Sequence, residues 1–180
     1  MSEILHRIFK IDKDNNPLIS ILLSNRKSSL PLMDELLLHS SGPITDLSEY
    51  SFLPALDSLR ILFFEPENAN HNQLNNSALD GNVLLEKPNP LQMLIQELKN
   101  NQWSTIKEFY AKDLSEAMRI MKDYEIKCNS ENELPIVPGG FAGLLGYDMS
   151  RWTNSVFLKH VPKSGSLLGV MWRTEAWWVH

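Results

Sequence analysis

The segment that most constrains the fold of this chain is a glycine-rich, apolar stretch around residue 140. It reads Leu134-Pro-Ile-Val-Pro-Gly-Gly-Phe-Ala-Gly-Leu-Leu-Gly-Tyr-Asp-Met-Ser-Arg151, with glycines at 139, 140, 143 and 146. Glycine has no Cβ, so it lets another backbone approach closely, but it also loses more entropy on folding than other residues. Such a density inside an apolar run indicates a buried strand pair that is crowded against a neighbour. A tight turn followed by an ordinary core strand is the simpler alternative.

Three polar side chains of different chemistry end this segment, namely Tyr147, Asp148 and Arg151. In one interpretation Asp148 pairs with Arg151, and Tyr147 buries its ring while its hydroxyl makes a hydrogen bond. In the other, the three side chains surround a pocket for a polar small molecule. The residues alone leave both interpretations open.

The composition is that of a globular protein, with 180 residues of which 43% are hydrophobic and 22% are charged. This length allows one domain with a real core, or part of a larger one. The net charge is −5 and the basic residues are scattered, so we expect no nucleic-acid partner. We find neither a signal peptide nor a long apolar segment, so we expect no membrane association and predict a cytoplasmic location. The single cysteine, Cys128, fits a reducing compartment.

Sequence motifs for metal, nucleotide or nucleophilic chemistry are missing. The glycines at 140, 143 and 146 do not have the dinucleotide-binding spacing, and we predict no helix directly after them. Cys128 lies in a polar linker with no histidine nearby, which favours an idle thiol. The histidines are too far apart in sequence for a zinc motif, and they are His6, His39, His71, His160 and His180.

Short apolar runs predict strands in the first third of the chain. A hairpin is predicted over 4–23, with 18–23 as its second strand, and a further strand over 59–64. Residues 33–39 contain three consecutive leucines and fit either a buried strand or a short helix. The Asn-rich segment 68–82 predicts a mobile surface loop.

Two helices are predicted in the middle of the chain from capping residues and apolar spacing. The first begins at Asn89 and Pro90, and the second begins with a capping box formed by Asp113 and Glu116. Each has an apolar face at helical spacing, made of Leu91, Leu94, Ile95 and Leu98 in the first and of Leu114, Ala117, Met118 and Met121 in the second.

A long apolar strand is predicted at the end of the chain, over 166–180, where three of the five tryptophans lie. The order of strands, then helices, then strands predicts an α+β fold with a largely antiparallel sheet. An apolar strand over 172–179 would be a liability at a sheet edge, so we expect it to be covered or to drive self-association.

The glycine-rich segment also resembles a known family. The pattern Leu134-Pro-x-x-x-Gly-Gly-x-x-Gly-x-x-Gly-Tyr-Asp-x-x-Arg151 is similar to the hallmark of the amino-terminal region of chorismate-utilising enzymes, namely anthranilate synthase component I and aminodeoxychorismate synthase component I. Leu37-Leu-His-Ser40 resembles the Leu-Leu-His-Ser stretch of the para-aminobenzoate enzymes, whereas anthranilate synthases more typically have Leu-Leu-Glu-Ser. Asn89-Pro-Leu-Gln92 and the tail from Gly169 to His180 resemble further parts of that region.

The resemblance implies a fold and a ligand. The family's amino-terminal region forms antiparallel, β-sandwich-like sheets flanked by helices, as part of a larger two-sheet domain, and residues 1–180 would form a single such domain. A tryptophan can bind between the sheets, as a feedback inhibitor or as a structural ligand. The residues of this chain that match, or that we assign to that pocket, are Ser40, Tyr50, Tyr147 and Asp148. The glycines and Arg151 would form the structural hallmark.

The implied function is that of the amino-terminal structural or regulatory domain of an aminodeoxychorismate synthase component I-like enzyme of folate biosynthesis. Its partners would be a glutamine amidotransferase subunit and the enzyme's own carboxy-terminal chorismate-binding domain. The catalytic groups and the Mg2+ of the family belong to that second domain, so we expect no cofactor and no activity in this segment alone. An anthranilate synthase domain, a self-standing small-molecule-binding module and a purely structural fragment are the alternatives.

Overall fold

We describe the fold from a computed structural model of the chain, which covers residues 17–27, 34–38, 50–56, 58–67, 89–127, 139–153 and 162–180. The fold is α+β with antiparallel sheets, so the predicted class is confirmed, although the elements do not follow the predicted order of strands, helices and strands. In chain order the elements are α1 (Pro17–Lys27), β1 (Phe52–Pro54), β2 (Leu59–Phe64), β3 (Leu91–Lys99), β4 (Gln102–Ala111), α2 (Leu114–Lys122), β5 (Phe141–Leu145), a 3-10 helix (Tyr147–Trp152), β6 (Leu167–Arg173) and β7 (Trp177–Val179).

Two antiparallel sheets organise these strands. The larger has the strand order β4-β3-β2-β6-β5, so β2 is central and pairs with β3 on one side and β6 on the other. The smaller pairs β1 with β7, and Leu38 extends it through a bridge to Phe52. The predicted strand over 59–64 is thus confirmed as β2, at the centre of the larger sheet.

One face of the larger sheet carries the main core. Alternate residues of β2 and β3 are buried on that face because successive side chains of a strand point to opposite sides. Helix α2 packs Ala117 and Met121 against it. The sheet residues buried there are Leu59, Ile61, Phe63, Leu91, Met93 and Ile95. Full burial of such side chains stabilises the fold by about 1.5–3 kcal/mol each.

Helix α2 begins where its capping residues predict. Asp113 accepts a hydrogen bond from the backbone N–H of Glu116 at 2.8 Å, and Glu116 Oε2 accepts one from the backbone N–H of Lys112 at 3.0 Å. These bonds satisfy backbone donors that a helix start leaves unpaired. The predicted second helix is therefore confirmed.

The predicted first helix is wrong, because residues 91–99 form strand β3. The apolar residues of this segment fit both periods. Positions 91, 93 and 95 alternate as in a strand, and positions 91, 94, 95 and 98 have the spacing of one helix face. The pairing with β2 and β4 on both sides decides between them. Asn100 and Asn101 have positive φ angles of 51° and 60° and form the two-residue turn to β4, as in a type I′ hairpin.

The prediction of a strand over 18–23 is also wrong, because this segment lies in helix α1. Pro17 occupies the first helical position, where a missing N–H costs nothing. Leu18 is buried, and the Ser24 hydroxyl donates to the carbonyl of Ser20 at 2.8 Å. The other half of the predicted hairpin, the Asn-rich loop 68–82 and the polar linker around Cys128 lie outside the described residues.

The tail is two strands rather than the single long one predicted. Strand β6 ends at Arg173 and belongs to the larger sheet, whereas β7 begins at Trp177 and belongs to the smaller. Since β6 pairs with both β2 and β5, it is not an edge, and Trp172 is only 7% exposed. Among the described strands β7 pairs with β1 alone, and Trp178 is 49% exposed. Residues 34–37 are in neither helix nor strand, and Leu38 forms its bridge to Phe52.

Candidate functional site

The glycines of the hallmark are placed where a side chain would not fit. A Cβ on Gly143 would lie 2.8 Å from Met171 Cα and would also overlap the carbonyl of Val170. A Cβ on Gly146 would lie 2.7 Å from the carbonyl oxygen of Leu168. Strand β5 is thus crowded against β6, as the glycine density indicates, but it is not buried as predicted, since Leu144 and Leu145 are exposed.

The two remaining hallmark glycines connect β5 to other parts of the chain. Gly139 has a φ of 80°, and a Cβ there would lie 2.8 Å from Ile126 Cβ. The carbonyl of Gly140 accepts hydrogen bonds from the backbone N–H and the hydroxyl of Thr174, at 2.9 and 3.0 Å. Thr174 is fully buried and lies between β6 and β7. These bonds therefore hold the start of β5 at the point where the chain leaves one sheet for the other.

The polar end of the hallmark forms a 3-10 helix, which corrects the prediction that no helix follows the glycines. Tyr147 is 79% exposed, so it does not bury its ring. Arg151 does not pair with Asp148, because its Nη1 donates to Glu65 Oε2 at 2.8 Å. The interpretation in which Asp148 pairs with Arg151 and Tyr147 buries its ring is therefore wrong.

The ion pair between Arg151 and Glu65 is buried. Glu65 is fully enclosed, the Arg151 side chain is 15% exposed, and the Arg151 guanidinium lies 5.0 Å from the centre of the Trp152 ring. Oε2 of Glu65 accepts from Arg151, whereas Oε1 is buried without a hydrogen-bond partner. Glu65 was not predicted as a site residue, although an acidic residue directly between an apolar strand and Pro66 indicates a carboxylate close to the core.

This corner joins several distant segments. The backbone of Glu65 exchanges hydrogen bonds of 2.9 Å with Gly165 and Ser166, just before β6. Trp152 Nε1 donates to the carbonyl of Asn89 at 2.9 Å, just before β3. The 3-10 helix thus fastens the ends of three strands of the larger sheet, which is a structural role for this part of the hallmark.

A second polar cluster lies on the other face of the larger sheet, and it connects residues 34–38 to that sheet. Asp34 Oδ2 accepts hydrogen bonds from Arg60 Nη1 and from Trp172 Nε1, both at 2.7 Å. Arg60 Nε donates to Gln96 Oε1 at 2.8 Å, and the Arg60 guanidinium lies 4.3 Å from the centre of the Trp103 ring. We call these five residues the junction cluster; the sequence analysis identified none of them.

The segment that contains Asp34 leads towards one predicted ligand residue, Ser40, and is bridged to the strand that follows another, Tyr50. Asp34 bonds to the larger sheet, while Leu38 of the same segment pairs with Phe52 of the smaller sheet. Tyr50 precedes β1, is 41% exposed, and its ring centre lies 6.2 Å from that of Phe52. Ser40 follows Leu38 by two positions and lies outside the described residues.

The structure does not bring all the predicted ligand residues together. Tyr147 and Asp148 follow the end of β5, beside Leu168, whereas Tyr50 lies beside the residue that follows β7, where Ser51 exchanges backbone hydrogen bonds with His180. Within the described ranges, no hydrogen bond or ring contact joins Tyr50 to either residue. Their assignment to one pocket stays a prediction.

A pair of titratable side chains lies on β4, where Glu108 Oε1 accepts hydrogen bonds from Tyr110 at 2.6 Å and from Gln92 at 2.7 Å. The bond from Tyr110 chiefly lowers the pKa of Glu108, and the bond to Glu108 chiefly raises the pKa of Tyr110. The stabilisation of the folded state that goes with the lowered pKa of Glu108 is present above its ordinary pKa of 4.5 and is lost as pH falls through the lowered value. The stabilisation that goes with the raised pKa of Tyr110 is present below its ordinary pKa of 10.0 and is lost as pH rises through the raised value.

We therefore expect Glu108→Gln to make one tyrosine ionise at lower pH than in the unchanged protein. Absorbance at the phenolate band during an alkaline titration measures this. Tyr124, whose pKa burial raises, is common to both proteins and cancels in the difference. Superimposable titration curves would show that the bond between Glu108 and Tyr110 does not form in solution.

Neither a metal centre nor a membrane segment is found in the described part of the chain. No group of three or more His, Cys, Asp and Glu side chains there is placed to hold a metal ion. No helix there is long and apolar enough to span a bilayer. The resemblance assigns the family's Mg2+ to the chorismate-binding domain, which is not part of this sequence. Binding of Mg2+ there stays a prediction.

Comparisons of this chain with protein-family models, curated proteins and solved structures gave no match. The resemblance to chorismate-utilising enzymes therefore depends on the residues of this chain alone.

Proposed function

We propose that this chain is the amino-terminal, structural and regulatory domain of an enzyme of the aminodeoxychorismate synthase component I type. The enzyme acts in the cytoplasm, in para-aminobenzoate and folate biosynthesis. It aminates chorismate with ammonia from a glutamine amidotransferase subunit, and the chemistry belongs to a chorismate-binding domain outside this sequence. This domain contributes the framework and a site for L-tryptophan.

The observation that carries the proposal is the close fit of the hallmark to its surroundings. Gly143 and Gly146 lie against the backbone of β6, and Arg151 neutralises the buried carboxylate of Glu65. A pattern that is similar to a family hallmark thus has a specific packing reason at each of these positions. This supports the resemblance because the positions that carry the similar pattern are also positions that the packing constrains.

The tryptophan site is best supported at the segment that connects the two sheets. An amino acid needs an acceptor for its ammonium group, a donor for its carboxylate and an apolar surface for its ring. The junction cluster offers the Asp34 carboxylate, the Arg60 guanidinium and the indole of Trp103 within one network. Leu38, two positions before Ser40, pairs with Phe52, whose ring centre lies 6.2 Å from that of Tyr50.

We expect L-tryptophan to bind the full chain and to raise its melting temperature. At a ligand concentration one hundred times the Kd, binding adds about 2.7 kcal/mol to the free energy of unfolding. Tyr50→Ala and Ser40→Ala should each weaken binding about tenfold or more, measured by calorimetry. Tyr110→Ala is the matched control, since Tyr110 is an exposed tyrosine on β4, and it should leave the affinity unchanged.

The same titrations test whether the hallmark residues take part in tryptophan binding. A loss of affinity in Tyr147→Ala or Asp148→Ala would place the hallmark in the ligand site, and no loss would leave it as framework alone. No heat and no thermal shift at millimolar L-tryptophan, with the protein folded, would contradict the regulatory part. Amination of chorismate by the complete reading frame with ammonium and Mg2+ tests the enzyme, and fluorescent anthranilate as product would favour the anthranilate branch instead.

A further inference from the structure

The two sheets are parts of one two-stranded ribbon. Strand β1 precedes β2 in the chain and pairs with β7, while β6 precedes β7 and pairs with β2. The ribbon bends between its two parts, at Ser58 on one strand and at Glu175 on the other. Close to the bend, the backbone N–H of Ala55 donates to the carbonyl of Ala176 at 2.9 Å. Because a two-stranded ribbon has little stability by itself, its outer part, the smaller sheet, needs further contacts to keep its direction.

Residues 34–38, which we call the strap, are fastened to the larger sheet at their first residue. Asp34 Oδ2 accepts hydrogen bonds from Arg60 Nη1 and from Trp172 Nε1, both at 2.7 Å. Arg60 and Trp172 lie directly opposite each other on β2 and β6. One carboxylate oxygen therefore ties the strap to both strands of the ribbon, on the larger-sheet side of the bend.

The last residue of the strap is fastened beyond the bend. Leu38 and Phe52 exchange backbone hydrogen bonds of 2.9 and 2.8 Å, and Phe52 belongs to β1 of the smaller sheet. The ring centre of Tyr50 lies 6.2 Å from that of Phe52. The strap thus connects the two arms of the bent ribbon and restrains the arm that carries Tyr50.

Both attachments of the strap are small. The two bonds at Asp34 share one oxygen atom, and the Asp34 and Arg60 side chains are 26% and 19% exposed, so water competes for this contact. The pairing of Leu38 with Phe52 is an isolated bridge, without the neighbouring pairs that support a residue inside a strand. Segments that are held by few, partly exposed bonds open locally while the rest of a protein stays folded.

We propose that the strap is a releasable restraint on the bend of the ribbon, with Asp34 as its clasp. While Asp34 is bound, the smaller sheet keeps one direction relative to the larger sheet. When Asp34 is released, the smaller sheet moves as a flap about the bend, and Tyr50 moves with it. Arg60 and Trp172 are then positioning residues, which act on the smaller sheet through Asp34.

Hydrogen exchange of the unchanged full chain measures the opening of the strap. The amides of Leu38 and Phe52 and the indole N–H of Trp172 are the hydrogens that the strap protects. We expect all three to exchange through one opening event, with the same dependence on denaturant. That event should be more frequent than the opening of β3, whose backbone is paired on both sides.

Two alanine variants test the clasp. Asp34→Ala removes the acceptor, and Glu175→Ala is the matched control, since it removes a carboxylate at the bend that pairs with Arg173 at 2.7 Å on the surface. We expect the amides of Leu38 and Phe52 to exchange about tenfold faster or more in Asp34→Ala, because hydrogen bonds to a charged group are lost. In Glu175→Ala their rates should stay within about twofold, as for the loss of a surface ion pair.

The distance between two spin labels reports the direction of the smaller sheet. Val179→Cys on β7 and Ile106→Cys on β4 place the labels at side chains that are 39% and 44% exposed, and Cys128→Ser prevents a third label. Double electron–electron resonance should give one narrow distance distribution in this background and in its Glu175→Ala form. We expect a broad distribution once Asp34→Ala is added.

Three results would overturn the proposal. The first is unchanged exchange of the Leu38 and Phe52 amides in a folded Asp34→Ala protein, and the second is a label distance that stays narrow in that protein. The third is independent opening of the Trp172 indole N–H and the strap amides in the unchanged protein. If Asp34→Ala does not fold, this last measurement decides alone. None of these experiments uses L-tryptophan or chorismate, so the proposed function stands or fails separately.

Discussion

Replacing Arg151 with methionine is expected to lower the free energy of unfolding by about 3–5 kcal/mol, since it leaves a buried carboxylate without its cation. Glu65 is fully buried, and Arg151 Nη1 donates to it over 2.8 Å. No other ion-pair partner of Glu65 is found in the described part of the chain. Urea denaturation followed by tryptophan fluorescence measures the loss as a lower midpoint with an unchanged slope.

The double variant Glu65→Met/Arg151→Met separates the cost of an unpaired charge from the value of the pair. Because ionic desolvation largely cancels the attraction in a buried pair, we expect the double variant to recover most of the stability lost in Arg151→Met. The control is Arg119→Met, whose partner Glu116 lies at 3.1 Å on the surface of α2. Its effect should be within about 0.5 kcal/mol. A double variant no more stable than Arg151→Met would show that the charge of Glu65 is not the cause.

The second large effect is expected for Gly143→Ala, which should destabilise the protein by about 3 kcal/mol. The added methyl group would meet the backbone of β6 at Val170 and Met171, which cannot move without disturbing the pairing of β5 and β6. Gly165→Ala is the matched control, because its φ is 74° and no atom lies within 4 Å of the added Cβ.

The control isolates backbone conformation from crowding. Gly165→Ala carries only the cost of a left-handed residue, about 1 kcal/mol, whereas Gly143→Ala carries only the cost of overlap. Urea denaturation of the two variants and of the unchanged protein measures both losses. Equal losses in the two variants would mean that β5 has room to shift away from β6.

Several features of the fold are readable from the sequence because their causes are local. Helix α2 begins directly after its N-cap Asp113, since the capping side chain and its target N–H are three residues apart. The crowding of β5 is visible in the glycines, since no other residue type tolerates so close a neighbour. The predicted class of the fold is correct, although two of the elements from which it was predicted, over 18–23 and 91–98, are of the opposite type in the structure.

The candidate sites depend on contacts between residues that are distant in sequence, and these contacts were not predicted. Arg151 has Asp148 three positions away but pairs with Glu65, which is 86 positions away. Asp34 meets Trp172 across 138 positions. The spacing of residues along the chain carries no record of such partners, so neither Glu65 nor the junction cluster was predicted.

The sequence by itself therefore determined two local features, namely the capped helix α2 and a glycine-rich strand that needs a close neighbour. Each is a segment whose residues fit only one local structure. The tertiary structure decided the rest. Segment 91–99 fits a helix and a strand equally well, and it became β3 because β2 and β4 hydrogen-bond it on both sides. A helix satisfies its backbone groups alone, but a strand satisfies them only through neighbours that the chain brings from elsewhere.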